Sequence, residues 1–175
     1  MRIIGLAGWS GAGKTTLLTR LIPRLIARGL SVSTIKHAHH AFDVDKPGKD
    51  SFLHRAAGAT EVLVASSARF ALMHELRGAA EPELPDLLWR MQKVDLLIVE
   101  GFKRFGHAKI EVHRAANAKP FLFPDDPAIA AIATDSPPDR CNLPVAHIDA
   151  IDAIAELALA AAEPAEHFAP VSWPS

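Results

Sequence analysis

A chain of 175 residues with a formal net charge of -1, 49% hydrophobic and 22% charged, suits one globular domain with a sizeable core. No run approaches the roughly 20 apolar residues that cross a bilayer, and no basic block points to a nucleic acid partner. Cys141 is the single cysteine, which excludes an intrachain disulfide. With an N-terminus that leads directly into a strand pattern, a cytoplasmic protein is expected.

Arg2–Ala7 reads as a buried strand cut off by glycines. Lys14–Arg28 carries Leu17, Leu18, Leu21, Ile22, Leu25 and Ile26 on one helical face, and Gly29 stands where a helix C-cap glycine belongs. Pro23 inside that helix removes a hydrogen bond and predicts a kink. Leu30–Lys36 predicts a second strand. Ala38–Asp50 is polar, with Pro47-Gly48 as a turn, and Asp50–Ala57 reads as a short helix. Glu61–Ala65 and Arg69–His74 predict a hairpin through Ser66-Ser67-Ala68, which would make the main sheet mixed. Pro85–Lys93 reads as a short helix, and Asp95–Val99 as a strand buried on both faces. Ala108–His113 and Ile129–Ala133 predict further strands, and Asp149–Ala162 an alanine-rich helix. Pro164, Pro170 and Pro174 mark a loose tail over residues 163–175, which leaves residues 1–162 as the domain. There is no internal repeat. Strands separated by helices give an α/β fold, a three-layer sandwich around a mainly parallel sheet.

Gly8-Trp9-Ser10-Gly11-Ala12-Gly13-Lys14-Thr15 fits the P-loop pattern G-x-x-x-x-G-K-[ST]. Its glycines let successive N–H groups point at one anion, and the following helix adds its positive end. A strand before the pattern and an amphipathic helix after it are the context the motif requires. Gly11, Ala12, Gly13, Lys14, Thr15 and Thr16 are therefore candidate phosphate contacts. Lys14 would reach the β- and γ-phosphates, and the Thr15 hydroxyl would ligate Mg²⁺. Glu100 ends a buried strand, where ligands bind in open α/β sheets. It could hold Mg²⁺ through a water or orient an attacking water, whereas Asp95 starts that strand and takes no catalytic role.

His37, His39 and His40 follow the second strand and could hold a transition metal, but a solvated or phosphate-facing loop fits them better. Among the acids that follow, Asp43, Asp45 and Asp50 are candidates for Mg²⁺ or switch-like nucleotide contacts. Arg55, beside His54, could add a cation for a triphosphate. Asp135 follows an apolar strand, and its carboxylate could accept from guanine N1–H and the exocyclic amine, which adenine cannot match.

Thr34–Ser51 (T-I-K-H-A-H-H-A-F-D-V-D-K-P-G-K-D-S), His54–Ala59 (H-R-A-A-G-A), the P-loop and Leu97–Lys103 (L-I-V-E-G-F-K) together resemble the MobB family of molybdopterin-guanine dinucleotide biosynthesis proteins. The likeness runs from Ile3 to about Ala162, and the Lys36–Ser51 segment is far more specific than the P-loop. The resemblance implies a homodimeric accessory protein that binds GTP with Mg²⁺, hydrolyses it weakly, and assists the guanylyltransferase that joins GMP to molybdopterin. By position it implies Gly11, Gly13, Lys14, Thr15 and Thr16 at phosphate and metal, Glu100 at magnesium and Asp135 at the base. Arg55 and Arg104 are candidate arginine fingers, although a partner could supply that cation. A P-loop small-molecule kinase is disfavoured by the lack of an arginine-rich lid. A metal-insertion chaperone would need His37, His39 and His40.

Overall fold

A computed structural model describes residues 1–38, 42–103 and 105–168. Where a single domain is expected, the chain forms two compact units: Met1–His37 with the chain from Leu84 onward, and Ala38–Glu83.

In the larger unit, β1 (Arg2–Ala7), β2 (Val32–Lys36), β5 (Leu96–Glu100), β6 (Lys109–His113), β7 (Ile129–Thr134) and β8 (Val145–His147) form a parallel sheet in the order β2-β5-β1-β6-β7-β8. β9 (Glu163–Pro164) adds antiparallel to Arg2 and Ile3, below the stretch Gly5–Ala7 that pairs with β6. The sheet is mixed because of β9. The hairpin expected to make it so, β3 (Glu61–Ala65) with β4 (Phe70–His74), forms a separate two-stranded sheet in the other unit.

Period-two side-chain alternation divides the core between the two faces. Ile4, Leu6, Leu96, Ile98, Ile110 and Val112 pack against Leu17, Leu21 and Leu25 of α1 (Lys14–Ile26) and Ile154, Ala155 and Ala158 of α4 (Ile151–Ala161). Ile3, Leu97 and Val99 pack on the other face with Leu84 and Leu88 of α3 (Leu84–Leu88) and with Ala165. Helix α1 runs through the exposed Pro23 to Ile26. The ends of the sheet are pinned locally. Ser31 donates its N–H and hydroxyl to Asp95 Oδ2 at 2.8 and 2.6 Å, which holds the Asp95 carboxyl below the usual range.

Residues 163–168, expected to be loose, are structured: Glu163 and Pro164 pair with β1, and Ala165 is fully buried. His39, His40 and Arg104 lie outside the described residues, as do residues 169–175.

Polar residues line one face of β6. Lys109, Glu111 and His113 are all buried, on the side opposite Ile110 and Val112. They are buried because the chain after β6 folds back over them. Lys109 Nζ pairs with Asp126 at 3.2 Å. Glu111 accepts the N–H groups of Leu122 and Phe123 at 2.7 and 2.9 Å. His113 stacks on Phe121 at 3.8 Å between ring centres, with Nε2 3.0 Å from the Lys119 carbonyl oxygen. A buried polar group is tolerated when it is hydrogen-bonded, and here the bonds fix a loop that reaches the glycine-rich turn.

In the smaller unit, α2 (Asp50–Ala56) precedes the hairpin. Arg55 binds Asp43 at 2.9 Å, Glu75 at 2.9 Å and Asp45 at 3.3 Å. Leu63, Val64, Phe70 and Leu72 of the hairpin are exposed.

Candidate functional site

The glycine-rich turn sits between the C-terminal end of β1 and the N-terminus of α1. Gly8, Gly11 and Gly13 adopt φ of 144°, 81° and 92°, a region closed to most side chains. Space closes these positions too: a Cβ on Gly8 would lie 2.4 Å from the Val112 carbonyl oxygen, and one on Gly13 3.1 Å from Arg114 Nε. Helix α1 has no side-chain N-cap and no acid in its first turn. Its first N–H groups and positive dipole end are therefore suited to an anion.

Lys14 lies within this turn, its Nζ donating to the carbonyl oxygens of Gly8 and Trp9 at 2.8 and 3.0 Å. Burial lowers its pKa from the ordinary value, Glu100 opposes that shift, and Lys103 and Lys36 reinforce it. Glu100 is paired across the sheet with Leu6, since β1 and β5 are neighbours. Its carboxylate is 13% exposed and lies 3.7 Å from Lys36 Nζ. Three lysines and one largely buried acid thus gather at the strand ends. Thr15 and Thr16 are exposed in the first turn of α1. Glycine-turn N–H groups, a lysine, a hydroxyl and an acid are the donor set that a nucleotide triphosphate with a hard divalent cation requires, so the residues fit both groups.

Asp50 and Arg55 are in the smaller unit. Asp50 is an exposed residue opening α2, and the Arg55 guanidinium is occupied by the three carboxylates named above. These bonds give Arg55 a local structural role. Its hydrogen bonds to Asp43 and Glu75 raise its pKa further. His37 packs at a tilt against Phe102 with ring centres 4.8 Å apart. Among the described residues, no group of three or more His, Cys, Asp or Glu could hold a metal ion.

Asp135 follows β7, and its Oδ1 accepts the Ala115 N–H at 2.9 Å. That bond anchors the 3-10 turn Ala115–Asn117. From the turn, Asn117 Nδ2 donates to the Ser10 carbonyl oxygen at 3.0 Å, and Arg114 leans on Gly13. Trp9 Nε1 donates to the Pro120 carbonyl oxygen at 2.8 Å. Sequence reasoning missed Arg114, Asn117 and Lys36 as neighbours of the cradle. Lys36 ends a strand beside Glu100 and was findable by the strand-end rule, whereas Arg114 and Asn117 carry no motif.

The fold and the glycine cradle define an α/β protein of the P-loop NTPase type. Residues 3–135 match the MobB family, molybdopterin guanine dinucleotide synthesis protein B, and the chain belongs to that family. It is 48% identical over 153 residues to the molybdopterin-guanine dinucleotide biosynthesis adapter protein of Escherichia coli (strain K12), a match spanning 86% of each chain. The protein of the same description from Haemophilus influenzae is 43% identical over 135 residues, 77% of this chain and 75% of that one. The crystal structure of a molybdopterin-guanine biosynthesis protein B superposes with a TM-score of 0.72 at 29% identity, covering 90% of this chain and 98% of the other. No helix among the described residues is long and apolar enough to cross a membrane.

Proposed function

We propose that this chain is a GTP-binding adapter of molybdenum cofactor maturation, working in the cytoplasm beside the guanylyltransferase that attaches GMP to molybdopterin. The observation that carries this reading is the pairing of strands β1 and β5, which brings the glycine cradle and Glu100 to one sheet edge, in a member of the MobB family. When bound, Mg²⁺–GTP supplies a γ-phosphoryl group open to attack by water. Gly11, Ala12, Gly13 and Thr16 hold phosphate through backbone N–H groups, Lys14 neutralises phosphate charge, and Thr15 and Glu100 hold the metal, Glu100 directly or through a water. Asp135 Oδ2 accepts from guanine. Arg55, tied to three carboxylates, supplies no catalytic cation, and hydrolysis is slow until a second subunit or partner brings one to the γ-phosphate. This suits an adapter whose nucleotide state matters more than its turnover.

The functional unit in this reading is a homodimer. A lone two-stranded hairpin is marginal in water, and one exposing Leu63, Val64, Phe70 and Leu72 presents an apolar surface and open edges that a second copy would cover.

Calorimetry with non-hydrolysable GTP and ATP analogues and Mg²⁺ tests the proposal, followed by a pull-down with the guanylyltransferase. Guanine preference, abolished triphosphate binding in Lys14→Ala and capture of the transferase are expected. ATP preference would overturn the reading and favour a kinase.

A further inference from the structure

Arg114 is bound differently from the arginines in and just after helix α1. Arg20, Arg24 and Arg28 each hold a carboxylate oxygen at 2.6 Å. Arg114 Nη1 stands 3.8 Å from Asp135 Oδ2, beyond the hydrogen-bond limit of about 3.2 Å, so its donors are not locked. The two side chains are 34% and 28% exposed. Both side chains sit beside the cradle. Arg114 Nε lies 3.1 Å from where a Gly13 Cβ would stand. Asp135 Oδ1 is held by the Ala115 N–H. The 3-10 turn between them is tied to the cradle through Asn117 and Ser10. A cationic donor and a carboxylate acceptor therefore stand side by side at the rim of the phosphate cradle.

We propose that Arg114 is a specificity-determining residue that donates to guanine O6, while the neighbouring Asp135 accepts from N1–H and the exocyclic amine. The inference rests on the GTP reading above and deepens it. Guanine presents an acceptor, O6, beside its N1–H and amine donors. Adenine presents a donor amine at that corner and an acceptor at N1. The Arg114–Asp135 pair matches the first pattern and opposes the second at both positions, so discrimination comes from unpaired groups as well as from bonds made.

The test measures binding of three non-hydrolysable triphosphates with Mg²⁺, carrying guanine, adenine or 2-aminopurine, which keeps the exocyclic amine but lacks O6 and N1–H. The proteins compared are wild type, Arg114→Ala, Arg114→Lys and Asp135→Asn. Arg114→Ala should weaken the guanine ligand about tenfold, the scale of one charge-assisted hydrogen bond. It should leave the 2-aminopurine ligand within about twofold and should not weaken the adenine ligand. Arg114→Lys, which keeps a donor, should recover part of the guanine affinity and serves if the alanine variant misfolds. Asp135→Asn should weaken the guanine ligand, whose N1–H would then face an amide donor, and should not weaken the 2-aminopurine ligand, whose N1 accepts. Equal weakening of all three ligands by Arg114→Ala would overturn the assignment, because it places the guanidinium on the phosphates. An unchanged guanine affinity would overturn it as well. A wild-type protein that takes no nucleotide, or prefers adenine, would sink the GTP reading and this inference with it. Guanine preference with an indifferent Arg114 would sink only the inference.

Discussion

His107 should set much of the acid sensitivity of this fold. Its side chain is fully buried, and neither ring nitrogen has a hydrogen-bond partner among the described residues. Phe105 and Phe168 pack against it, with ring centres at 5.8 and 6.4 Å. Burial lowers its pKa from 6.5 to about 4, the nearby Lys109 charge adds to the effect, and the adjacent Phe105 backbone and the Asp126 charge oppose it. Between these values the unfolded chain binds a proton that the folded chain refuses, so stability falls as pH drops through this window and is flat above it. Two pKa values separated this far cost about 2 kcal/mol between pH 8 and pH 5, near the limiting slope of about 1.4 kcal/mol per pH unit. For a chain of this size that is about 1 M in the urea midpoint. Tryptophan fluorescence can follow the transition, since Trp9 and Trp89 both lie in the larger unit. His107→Phe keeps an aromatic ring beside Phe105 and Phe168 but cannot titrate. The difference between variant and wild type therefore cancels every other ionisable group. The variant should lose the extra slope between pH 5 and 6.5 whatever its absolute stability. An identical slope in both proteins would refute the argument and show that His107 is protonated inside the fold or solvated there.

Gly5→Ala should destabilise by about 1–3 kcal/mol, because its Cβ would lie 2.5 Å from His107 Nε2 and 2.8 Å from Lys109 Cγ. Part of that loss should return in the double variant with His107→Ala, measured as a non-additive urea midpoint. Asn117→Ala removes the bond to the Ser10 carbonyl oxygen and should lower affinity for the non-hydrolysable GTP analogue about fivefold, one hydrogen bond's worth, with unchanged thermal stability. A larger drop in melting temperature than in affinity would show that Asn117 holds the fold and not the cradle. If the hairpin face is the seam of the proposed homodimer, Leu63→Lys with Phe70→Glu should give a monomer in light scattering without loss of strand signal in circular dichroism. A dimer that persists would place the interface elsewhere.

Length and local pattern determined the elements of the larger unit. Of the six residues that spacing puts on one face of α1, Leu17, Leu21 and Leu25 are buried and Leu18 and Ile22 partly so, whereas Ile26, in the last turn, is exposed. Leu96–Val99 is an unbroken apolar run and is buried on both faces, since a strand covered from both sides has no polar side to show. The P-loop was legible because its glycines answer to backbone geometry, which is local, and the positive φ of Gly8, Gly11 and Gly13 follows. The family was legible from the Lys36–Ser51 segment and its neighbours, and residues 3–135 carry the match.

Tertiary structure decided what spacing leaves open. Lys109, Glu111 and His113 alternate with Ile110 and Val112, a pattern that reads as a strand with one wet face. A returning loop buries that face by supplying Asp126, the N–H groups of Leu122 and Phe123, and Phe121. Partners so far along the chain leave no local signal. The hairpin was predicted within one residue, yet its assignment to the main sheet failed, because strand periodicity does not encode which sheet a strand joins. Arg55 had the charge for a phosphate contact, but whether an arginine is available depends on its acids, and here Asp43, Asp45 and Glu75 occupy it. Arg114 gave no sign in sequence. Only the crossing of β6 beside β1 and the anchoring of its loop by Asp135 set that guanidinium against Gly13.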